Sequence, residues 1–103
     1  MARYKSEKIP YPKQDALMED FCAMLSRLKT KEAIRDFLKD LMNREERLML
    51  IRRLLIADML NSGKTYKEII EELKCGEPTI ARVKRWLHFG RRGYKQAITA
   101  KHR

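Results

Sequence analysis

Apolar residues return every three or four positions along most of the chain, and nowhere do they alternate as a β-strand requires. The pattern predicts an all-α protein of about six helices. From Lys13 to about Leu28, Leu17, Phe21, Met24, Leu25 and Leu28 form one face of an amphipathic helix, with Glu19, Asp20 and Arg27 on the others. Thr30 is placed to cap a second helix, in which Ile34, Phe37, Leu38 and Leu41 line one side while Lys31, Glu32, Asp36, Lys39 and Asp40 decorate the other. Asn43 opens a third helix, with Glu46 three residues on, the spacing at which two side chains each take an otherwise unpaired backbone N–H. Leu48, Met49, Leu50, Ile51, Leu54, Leu55, Ile56, Ala57, Met59 and Leu60 put apolar groups on more than one face of this helix. A helix apolar on two sides must be covered from two sides. The pattern therefore predicts that it is the centre of the domain and part of a homodimer interface, although thorough burial within one chain would look the same. The methionines here read as packing residues.

After a turn at Asn61-Ser62-Gly63-Lys64, Thr65 and Glu68 repeat the capping-box spacing, so a fourth helix begins at about Tyr66. Ile69, Ile70 and Leu73 share its face, and Lys74-Cys75-Gly76 ends it, Gly76 being the residue best able to take unusual backbone angles. Glu77 and Pro78 suit the first turn of a fifth helix, the proline because its missing N–H has no helical partner there and the glutamate because it meets the positive end of the dipole. Ile80, Val83 and Leu87 give that helix its buried side, leaving Pro78, Thr79, Arg82, Arg85 and Trp86 outward and Lys84 on the flank. A short helix, a turn containing Gly and a second helix with exposed Thr and Arg near its start make the helix-turn-helix layout, at about residues 65–87. Gly90 ends the fifth helix, and a short last helix runs through Tyr94, Ala97 and Ile98. These elements make residues 13–98 one helical domain, preceded by an extended or flexible arm over 1–12, where Pro10 and Pro12 disfavour helix in the residues before them, and followed by a frayed tail over 99–103.

Composition adds a direction. The 103 residues carry a formal net charge of +10. Up to Leu73 there are 15 Lys/Arg against 13 Asp/Glu, whereas from Lys74 onward there are 9 against the single Glu77. The basic excess starts where the helix-turn-helix turns, which favours a polyanionic partner and predicts salt-dependent binding; a solvated basic tail is the alternative for the final residues. Cys22 and Cys75 belong to no paired cluster, so neither a zinc site nor a disulfide framework is expected, and Cys75 suits a buried reduced thiol in the turn. No apolar run approaches a membrane span, and the expected location is the cytoplasm. There is no Gly-rich phosphate loop and no nucleophile paired with a base, so the sequence does not read as an enzyme, and no cofactor or metal is expected.

Asn43-Arg44-Glu45-Glu46-Arg47 opening the long helix, Arg52 within it, Lys64-Thr65-Tyr66-Lys67-Glu68-Ile69 opening the motif, and Gly76 with Thr79-Ile80-Ala81-Arg82-Val83-Lys84-Arg85 resemble the Trp repressor superfamily, and more closely its branch of small Trp-repressor-like proteins grouped as YerC/YecD. The likeness extends from about Leu28 to Ile98. It implies a six-helix subunit that forms an intertwined homodimer and presents two recognition helices to successive major grooves of double-stranded DNA. It also implies that two arginines, one on the long helix and one on the recognition helix, descend from a corepressor pocket that holds an indole; they would fall at Arg52 and Arg82. The glycine after the second arginine is replaced by Val83, and a serine three positions further on by Trp86. Both changes take up space, which argues against a tryptophan corepressor. A protein side chain would fill the room instead.

The resulting expectation is a sequence-specific DNA-binding transcriptional regulator, with helix 77–87 in the major groove. Pro78, Thr79 and Arg82 are the candidates for base readout, with local capping the other role for Thr79 and an ion pair with a neighbouring helix the other role for Arg82. Lys67, Lys84, Arg85, Arg91 and Arg92 are candidates for DNA phosphates, which set affinity and register without specifying sequence. Glu77 would repel phosphates unless it accepts from a cytosine, and a capping role suits it better. Trp86 reads as core, with base stacking the alternative, and His88 as a helix-end residue. A nonspecific binder of DNA, of structured RNA or of the ribosome would use the same basic surface.

Overall fold

The computed structural model describes residues 8–100, which form six helices: α1 (Tyr11–Leu25), α2 (Lys31–Leu41), α3 (Arg44–Asn61), α4 (Tyr66–Leu73), α5 (Glu77–Phe89) and α6 (Gly93–Ala100). Residues 1–7 of the expected arm and 101–103 of the expected tail lie outside the described residues. The chain divides into two compact units, the first ending at Leu41 and holding α1 and α2, the second beginning at Met42 and holding α3 to α6.

In the first unit, α1 begins earlier than its prolines suggest. Pro10 keeps an extended backbone as the N-cap, but Tyr11 and Pro12 already belong to the first helical turn, where a proline loses no helical hydrogen bond. The helix also ends at Leu25, sooner than its apolar periodicity. Arg27 and Leu28 continue in tighter turns, their amides donating to the carbonyls of Met24 at 3.2 Å and Leu25 at 3.0 Å, so Leu28 stays in phase without being helical. In α2 the Thr30 hydroxyl accepts from the Ala33 amide at 3.0 Å, as expected. No residue of either helix is buried.

The second unit contains the core. Ile56 and Ala57 of α3, Ile69 of α4, Cys75 of the following turn, Ile80, Val83 and Leu87 of α5 and Ile98 of α6 form one buried cluster. The Ile, Val and Leu side chains among them contribute about 1.5–3 kcal/mol each when they leave water. At the start of α3 the Asn43 amide donates to the Glu46 carboxylate and the Glu46 amide to the Asn43 side chain, both at 2.9 Å. At its other end the Ser62 hydroxyl donates to the Asp58 carbonyl at 2.7 Å, while the Gly63 amide donates to the Leu60 carbonyl and the Lys64 amide to that of Met59, with Gly63 left-handed at φ 91°. That double bond is the Schellman arrangement, in which a glycine just past the helix satisfies its last carbonyls. The thinly apolar α6 is held by Ile98, which enters the core. The first half of α3 differs: Leu48, Met49, Leu50, Ile51, Leu54 and Leu55 are all exposed in the chain.

Candidate nucleic-acid interface

Thr65 caps α4 from both directions, its amide donating to the Glu68 carboxylate at 2.9 Å and its hydroxyl accepting from the Glu68 amide at 3.2 Å. The bonds from Thr65, with a smaller push from the charge of Lys64, hold the Glu68 carboxyl below its ordinary pKa. The eight residues of α4 then lead to a turn that differs from the sequence expectation. The left-handed residue is Lys74, at φ 55°, not Gly76, which is extended at φ −97° and serves as the N-cap of α5. The reversal needs one such residue directly after the last helical turn, and Gly76 comes two positions too late for it. Buried Cys75 sits between them.

α5 starts with Glu77 and Pro78 in its first turn, and no side chain caps it. Neither Thr79 nor Glu77 therefore uses its side chain to cap the helix. Glu77 stands exposed where its charge faces the dipole. Ile80, Val83 and Leu87 occupy the inner line, as the periodicity predicted, so Pro78, Arg82 and Arg85 point away from the core and Thr79 is half-buried beside them. Arg82, Lys84, Arg85, Lys67, Arg91 and Arg92 are all exposed, and none of them forms an ion pair among the described residues. The acid partner considered for Arg82 is thus not found there. Lys84 instead lies over the Tyr66 ring, 5.8 Å from its centroid, a cation–π contact between the two helices of the motif.

Two further sequence expectations need correction. Arg52 and Arg82 are not brought together: Arg53 shares a cleft with Arg82, while Arg52 borders a separate groove with Leu48, Ile51 and Leu55. One position along a helix is a rotation of 100°, enough to send neighbouring arginines to different faces. Nor is Trp86 core. It is 51% exposed, because α5 fills its inner line with smaller residues and leaves the indole beside Arg53, Thr79, Arg82, Val83 and Tyr94. That cleft measures about 160 Å³, less than the roughly 300 Å³ at which small-molecule pockets usually begin. Gly90, which follows α5, is required for space: a Cβ there would lie deep inside contact with the Trp86 carbonyl oxygen, whose hydrogen bond from the Gly90 amide, at 2.9 Å, closes the helix. Arg92, at φ 69°, makes the turn into α6.

Among the described residues there is no group of three or more His, Cys, Asp or Glu that could hold a metal, and no helix long and apolar enough to cross a membrane. The arrangement offers exposed cations around a helix that is packed along one side only.

Comparison with known proteins gives this arrangement a lineage. The family model described as Trp repressor protein matches residues 16–102. Protein YerC of Bacillus subtilis (strain 168) is 40% identical over 78 residues, which span 76% of this chain and 74% of that protein. Among solved structures, a TrpR-like protein from Eubacterium eligens ATCC 27750 superposes with a TM-score of 0.73 at 34% identity, covering 85% of this chain and 90% of the other. A Trp repressor candidate from Staphylococcus aureus gives 0.74 at 33% identity, covering 97% and 96%. The chain belongs to the Trp repressor family of DNA-binding transcriptional regulators.

Proposed function

We propose that the protein is a homodimeric, sequence-specific DNA-binding regulator that acts in the cytoplasm and inserts α5 into the major groove. One observation carries the reading: α5 gives only Ile80, Val83 and Leu87 to the core, while its basic residues stay exposed and free of ion pairs among the described residues. Pro78, Thr79 and Arg82, close to the helix start, read base edges; Lys67, Lys84, Arg85, Arg91 and Arg92 neutralise phosphates. The partner subunit covers the exposed apolar half of α3, and the two copies of α5 address half-sites on one side of the duplex.

Tryptophan is not the effector in this reading. Val83 and the indole of Trp86 already occupy the walls of the cleft beside Arg53 and Arg82, and the remaining volume lies below that of usual small-molecule pockets. Calorimetry with tryptophan and related indoles tests this directly, and measurable binding would overturn it.

Selection of the purified protein against random duplexes, at low and at physiological salt and with single-stranded RNA as competitor, tests the function. The expected result is a two-fold symmetric site with half-sites about one helical turn apart, or a multiple of it. Binding that depends on salt but not on sequence, or preference for RNA, would replace the regulator with a nonspecific nucleic-acid binder.

A further inference from the structure

The buried line of α5 separates two flanks. At 100° per residue, Thr79 and Trp86 fall to one side of Ile80, Val83 and Leu87, and Lys84 and His88 to the other. The first flank holds the small cleft with Arg53 and Arg82. On the second, Lys84 and His88 meet Lys64 from the turn before α4, Tyr66 from the first turn of α4 and Lys95 from α6, around a cleft of about 400 Å³ floored by Leu87. No carboxylate lines it among the described residues. Its cations come from separate elements, and the Lys84 ammonium is held in place. The cation–π contact with Tyr66 keeps the Lys84 ammonium at the cleft, and the Lys64 backbone is fixed by its bond to Met59.

A recognition helix about 10–12 Å across, lying in a groove roughly 12 Å wide, faces a sugar-phosphate wall on each side. We infer that the second flank is a phosphate clamp, in which Lys64 and Lys84, oriented by Tyr66, seat a backbone phosphate of one DNA strand while Arg82 works on the other side of the helix. Lysine ammoniums suit such a clamp because they are point charges without the planar fork that reads a base, so they supply affinity and register and leave sequence to Thr79 and Arg82. The cleft also adjoins the proposed interface, since Lys84, one of its lining residues, belongs to α5. The clamp rests on the reading of α5 as the DNA-contacting helix.

The test is fluorescence anisotropy with the selected duplex and a scrambled one over a salt series, on Lys64→Ala, Lys64→Arg and the double variant Arg82→Ala/Lys84→Ala, each verified as folded by circular dichroism. Lys64→Ala should weaken both duplexes by the same factor and reduce the slope of log affinity against log salt by about 1.8, the value of two lost phosphate contacts, one from each subunit of the dimer, and Lys64→Arg should restore it. If Lys64→Ala leaves the slope unchanged while the double variant weakens binding, the clamp is wrong and the recognition helix stands. A loss confined to the selected duplex would also overturn it, since a phosphate contact is blind to sequence. If the double variant binds like the parent protein, α5 is not the contact surface and the clamp falls with it.

Discussion

Along α3 the residues before and after Leu55 are apolar to a similar degree, yet Ile56 and Ala57 are packed among side chains of α4, α5 and α6, whereas Leu48, Met49, Leu50 and Ile51 stay exposed. An apolar pattern states which groups gain by leaving water; it does not state which surface will cover them. For the C-terminal half of the helix the cover comes from the same chain, and it positions the helix-turn-helix. Its N-terminal half leaves a run of large apolar side chains exposed, and the proposed dimer supplies the missing cover.

Ile56→Ala should give the largest effect. Removing a fully buried side chain at the junction of four helices is expected to cost about 2–5 kcal/mol, read as a lower midpoint in urea; a change under about 0.5 kcal/mol would mean that this end of α3 is not the core. Ile51→Asp probes the other end. A charge placed on the exposed apolar face should leave the helical signal of the motif intact but shift the solution mass from dimer to monomer, measured by light scattering, and an undisturbed dimer would remove this face from the interface. Thr65→Ala, which deletes one half of the α4 cap, should cost about 1 kcal/mol in the same urea titration, and an unchanged midpoint would mean that the hydroxyl contributes nothing to the helix start.

The smallest effect concerns pH. The Glu68 carboxyl is held below its ordinary value by the Thr65 bonds, so the stability it contributes is present above the unfolded pKa of about 4.5 and is lost as pH falls through the lower folded value. Melting temperatures taken from about pH 6 down to about pH 3 should fall less steeply for Glu68→Gln than for the parent protein, and parallel curves would show that the cap does not depend on charge.

How much of this was legible in the sequence depended on the range over which each feature is decided. Both capping boxes, Asn43 with Glu46 and Thr65 with Glu68, and the inner line of α5 are set by spacings of three or four residues, and the sequence displays them directly. The location of the left-handed residue was not legible, because Gly76 attracts the assignment by its permissiveness while the geometry places the reversal at Lys74. Trp86 looked like core because its area is large, but burial is decided by what faces it across the bundle, and α5 meets its neighbours through Ile80, Val83 and Leu87. Resemblance brought an arginine of α3 towards Arg82 and missed the phase by one residue, naming Arg52 where Arg53 lines the cleft. An aligned neighbour is interchangeable on paper and faces elsewhere in space.

The economy of α5 has an evolutionary reach. With three residues anchoring the helix, with Gly76 capping it without a side chain and with its far end closed by backbone at Gly90, the exposed Pro78, Arg82 and Arg85 lie outside the buried core. In the proposed regulator, substitution there would change the surface offered to DNA while the buried line stays intact, so new target preferences would be open to a handful of surface changes that leave the core packing alone.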